Sequence, residues 1–94
     1  MSWTQEQSIN FECAREVIND LMASYTANIY AEKKKTIPDL ALVNSLLAER
    51  SRLRQERSAL NADDDAAVAA VRAKYSPIVR SWREERRDEW NKLF

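Results

Sequence analysis

The amino-acid sequence predicts an all-α fold: a three-helix antiparallel bundle, running up-down-up with coiled-coil-like packing. Three observations predict it. The 94 residues include no glycine and only two prolines, Pro38 and Pro77, whereas a β-rich or α/β chain of this length needs glycine for its hairpin turns and crossover loops. Apolar residues recur at spacings of three and four over long stretches, which is the period of one helical face. Leu46, Leu53 and Leu60 stand seven apart, the seam that two packed helices require. A chain of this length makes one domain, residues 1–94, and can bury a core without disulfides.

The first helix is expected over residues 4–34. Thr4 and Gln7 have capping-box spacing, in which hydroxyl and amide each satisfy an orphan backbone donor. Ser2 and Gln5 share that spacing, so the start is defined only to two residues. Phe11, Ala14, Ile18, Leu21, Met22, Tyr25 and Ile29 form one face, widened by Cys13 and Val17. A face that broad suits a helix touching two neighbours. Lys33, Lys34 and Lys35 close the helix, where carbonyl ends favour cations.

Thr36-Ile37-Pro38-Asp39 is the strongest punctuation in the chain. Proline pushes Ile37 out of the helical region and fits a first helical turn, so the second helix is expected over residues 38–60. It opens with a dense apolar run, Leu40, Ala41, Leu42, Val43, Leu46 and Leu47, and thins to the leucine ladder flanked by Arg50, Arg52, Arg54 and Arg57.

Residues 61–65 form an acidic turn. Asp63, Asp64 and Asp65 lack the alternating acids, central glycine and distant glutamate of a calcium loop. They read as a cap and first-turn acids for a third helix over residues 64–92. Val68, Val71, Tyr75, Ile78 and Trp82 mark its expected apolar stripe, with small alanines around it. Pro77 either kinks this helix or breaks it, with Ser76 capping a new one.

A turn centred near residue 35 pairs first- and second-helix residues whose numbers sum to about 71. That sets Asp20 against Arg50, Glu16 against Arg54 and Glu12 near Arg57, an acidic stripe on a basic one. The regional charges agree: residues 1–32 carry five acids and one base, and residues 33–62 seven bases and three acids. A second turn near residue 62 pairs Leu53 with Val71, Leu46 with Ile78 and Val43 with Trp82. Third-helix residues should then lie beside first-helix residues numbered about 53 lower.

The composition is poor in chemistry. There is no histidine, and a single cysteine, Cys13, can build neither a disulfide nor a thiolate zinc site. No glycine-rich loop can bring backbone amides to a phosphate. Neither a catalytic site, a cofactor nor a metal is expected. No basic start with an apolar run marks a signal peptide, and no stretch reaches the apolar length of a membrane span. The expectation is a cytoplasmic protein without a membrane partner.

These readings point to a non-enzymatic helical protein–protein interaction module, self-associating as a homodimer and acting as a regulator or adaptor. Its expected partner-binding residues are Trp90, Leu93 and Phe94, which follow a charged run over residues 83–89. An offset of 53 carries them past the end of the first helix; the alternatives are a last turn that folds back or frays. A second reading is a nucleic-acid-associated regulator using Lys33, Lys34 and Lys35 with Arg50, Arg52, Arg54 and Arg57. A third is a coiled-coil spacer with an exposed leucine seam.

Overall fold

The computed structural model describes residues 3–93. The chain is all-α. Helix α1 spans Gln5–Lys33, α2 Leu40–Ala59 and α3 Asp65–Leu93, and α1 packs with both α2 and α3. No strand occurs among the described residues. The chain divides into two compact units, residues 18–60 and residues 3–17 with 61–93.

In residues 18–60 the second part of α1 runs antiparallel to α2. Ile18, Leu21 and Ile29 of α1 are buried, as are Val43 and Leu53 of α2 and Leu60 just beyond it. Leu46 is half-buried. The expected register is displaced. Arg50 Nη1 donates to Thr26 Oγ1 at 3.0 Å, and Arg57 Nη1 to Asn19 Oδ1 at 2.6 Å. Both pairs sum to 76 rather than about 71, so the arginines expected to meet Asp20 and Glu12 reach neutral side chains. The cause lies in the turn. Asp39 is the N-cap of α2, its carboxylate accepting from the Leu42 N–H at 3.1 Å, so the helix starts at Leu40. Pro38 precedes the cap and is not in the first turn as expected. A later start moves the turn's centre along the chain.

In the other unit the first part of α1 runs parallel to α3. The capping box forms as expected: Thr4 N–H donates to Gln7 Oε1 and Gln7 N–H to Thr4 Oγ1, both at 3.0 Å. Asp64 caps α3, accepting from the Ala67 N–H at 3.0 Å. Gln7 Nε2 donates to Asp65 Oδ1 at 3.2 Å and Arg72 Nη1 to Asn10 Oδ1 at 3.0 Å, a polar clasp joining the two helices at their starts. The buried residues are Ala14, Ala62, Val68, Val71, Tyr75 and Val79.

Of the two outcomes expected at Pro77, the unbroken helix is the one found: α3 runs through it. Pro77 and Ala73 are both exposed, so the carbonyl deprived of its amide partner stands on the solvent side, where the loss costs least. The expected stripe needs correction: it takes Val79 in place of Ile78, which is 40% exposed. At about 100° per residue, Val79 falls about 20° from Val68 around the helix and Ile78 about 80° from it. Relative to the stripe of Val68, Val71 and Tyr75 each lies about 20° outside it, Val79 beyond the Val68 edge and Ile78 beyond the Val71 edge, so the side from which the neighbour meets the helix decides between them.

The core assignment gives a direct ranking. Leu53→Ala should cost about 2–5 kcal/mol, because it empties a fully enclosed site. Val79→Ala should destabilise more than Ile78→Ala, although isoleucine loses more atoms. Denaturant unfolding of the three variants checks this; an equal or larger loss for Ile78→Ala would place the stripe back on Ile78.

Candidate interaction surfaces

Among the described residues no cluster of three or more acidic, histidine or cysteine side chains could hold a metal. Cys13 is a free, half-buried thiol on α1. The acidic turn is used locally: Asp64 caps a helix and Asp65 accepts from Gln7.

The C-terminal surface lies on α3. Residues 83–92 are all exposed, and within them Trp90 is 62% exposed. Leu93 is the last residue of α3; its side chain, and Phe94 altogether, lie outside the described residues. The clasp between α1 and α3 joins residues 58 and 62 apart, not about 53. An overrun of α3 derived from an offset of 53 therefore does not follow, and the interest of Trp90 rests on its exposure.

The α1–α2 hairpin carries a surface that the sequence reading did not single out. Ile37 is 87% exposed and Leu40 67%, with Tyr30 and Leu42 also exposed. Of the apolar run that opens α2, only Val43 is buried. The run is dense enough to wrap the helix, yet one face alone is covered by α1. A signal was present: apolar residues on every side of a helix start demand more than one neighbour.

Glu32 holds this hairpin end together. Its side chain is only 8% exposed, with Oε2 2.6 Å from Lys35 Nζ and Oε1 accepting from the Asp39 N–H at 3.0 Å. One carboxylate thus ties the last turn of α1 to the residue that caps α2. The Lys35 hydrogen bond, then the Asp39 N–H, hold its pKa below the usual glutamate value, against the opposing effect of burial. Lys34 Nζ stands 4.4 Å from the centre of the Tyr30 ring, a cation–π distance. Lys33, Lys34 and Lys35 are all exposed.

The second-helix arginines are largely occupied. Arg52 binds Glu49 at 2.9 Å and Glu56 at 3.3 Å, while Arg50 and Arg57 reach across to α1. Each exposed contact is weak, and they follow the register that the turn sets.

Two predictions follow from these contacts. A group whose pKa is lowered on folding stabilises above its unfolded pKa, and that stability is lost as pH falls through the folded value. The native chain should therefore lose melting temperature on acidification below the ordinary glutamate range. Glu32→Gln should be less stable at neutral pH and show a flatter acid response. Parallel pH profiles for the two proteins would show that Glu32 is not the group responsible. For the register, a double-mutant cycle on Asn19→Ala and Arg57→Ala should give a coupling of about 0.5–1.5 kcal/mol. A coupling of zero would remove the contact.

Compared with known protein families, curated proteins and solved structures, the chain matches none.

Proposed function

We propose that this chain is a non-enzymatic helical interaction module that self-associates and acts as a regulator or adaptor. The observation that carries the reading is Trp90, a large aromatic kept 62% exposed on a helix end whose neighbours are all solvated. Exposed tryptophan is costly in water, and it is the residue type most enriched where proteins bind tightly. Leu93 and Phe94 follow it in the chain and extend the apolar character of this end.

A protein partner is favoured over nucleic acid because the arginine stripe is engaged. Arg50, Arg52 and Arg57 each have a partner on α1 or α2, and a phosphate backbone would have to compete for them. The absence of histidine and the single cysteine in the sequence fit a protein that works by contact.

Deleting residues 90–94 should leave helical content and melting temperature nearly unchanged while shifting the chain to a monomer. Size-exclusion chromatography with light scattering, run beside circular dichroism, reads both. A full-length chain that is already monomeric overturns self-association; a truncated chain that unfolds assigns these residues to the core.

A further inference from the structure

The closed end of the α1–α2 hairpin combines two features rarely left exposed together. It presents Ile37 and Leu40 as strongly exposed apolar groups. It also presents Lys33, Lys34 and Lys35. Glu32 neutralises Lys35 at 2.6 Å, so Lys33 and Lys34 are the cations this end offers to a partner. Glu32 is buried against Lys35 and the Asp39 N–H, and Asp39 caps α2 through the Leu42 N–H. The first turn of α2 carries no acid, although an acid there would be favoured by the helix dipole. Leu40, Ala41 and Leu42 occupy it and are exposed.

We propose that this hairpin end docks on anionic lipid surfaces. Ile37 and Leu40 enter the boundary between headgroups and acyl chains, and Lys33 and Lys34 meet the lipid phosphates and carboxylates. Apolar side chains beside exposed lysines match both layers of such a surface. Other occupants match only half of it. A nucleic acid satisfies the lysines but gives Ile37 and Leu40 nothing apolar to enter. A second copy meeting this end across a two-fold axis sets lysine against lysine. Docking of this kind needs no spanning helix, and no helix among the described residues is long and apolar enough to cross a membrane. The proposal is independent of the C-terminal surface, because every residue it uses lies between Tyr30 and Leu42.

The test is cosedimentation of the full chain with vesicles of phosphatidylcholine containing phosphatidylserine, and with phosphatidylcholine alone. Binding should be confined to the anionic vesicles and weaken with added salt. Lys33→Gln and Lys34→Gln should each lower partitioning about fivefold. Ile37→Asp combined with Leu40→Asp should abolish it with circular dichroism unchanged, since both side chains already stand in solvent, while Ile78→Ser on α3 should bind as the native chain does. Three results would each overturn the proposal: no sedimentation with anionic vesicles, equal binding to both vesicle types, or full binding by the Ile37/Leu40 double variant. The same holds if a DNA duplex strips the protein from vesicles and binds the double variant as well as the native chain, which would assign the lysines to nucleic acid.

Discussion

Helix α1 is the element both packed pairs share, and its apolar face is the constraint on which they depend. Ala14, Ile18, Leu21 and Ile29 are buried along its length. Ala14 is buried in the pair with α3, and Ile18, Leu21 and Ile29 in the pair with α2. The first part of α1 is clasped to α3 through Gln7 and Asn10, and the second part to α2 through Asn19 and Thr26. With no disulfide available, these faces hold the chain by burial, with the polar contacts beside them.

Helix ends decide the register more than charge does. A regional imbalance of acids and bases favours bringing the two stripes together, but exposed pairs are worth too little to move a helix start. Asp39 and Glu32 are stronger local determinants. One satisfies the orphan amides of α2 and the other spans the turn, and both act where backbone groups would otherwise lack partners. The arginines then settle on Thr26 and Asn19, because those residues lie opposite once the turn is set.

The same logic explains why the hairpin end is apolar outside. Burying Val43 and Leu53 against α1 uses one face of α2. Leu40 and Leu42 flank that face, and Ile37 sits in the turn, where no helix covers it. Their exposure is what remains once α1 covers one face of α2, and it is the observation on which the proposed lipid contact rests.

Read alone, the sequence determined the helical class, the three elements and the caps of the first and third, because these depend on local physics. The absence of glycine, the three-four spacing, Thr4 with Gln7 and Asp64 before an apolar stripe each act within a few residues of themselves. It also gave Leu53 and Val71 as core, since both are central to their stripes. The tertiary structure decided what depends on a neighbour: Val79 over Ile78, the register of the hairpin, the role of Glu32 and the exposure of Ile37 and Leu40. Adjacent apolar residues such as Ile78 and Val79 are equivalent to propensity and differ only in the angle at which a partner meets the helix. A glutamate ahead of three lysines reads as one charge among many until the turn folds back and places the Asp39 amide within reach of its carboxylate.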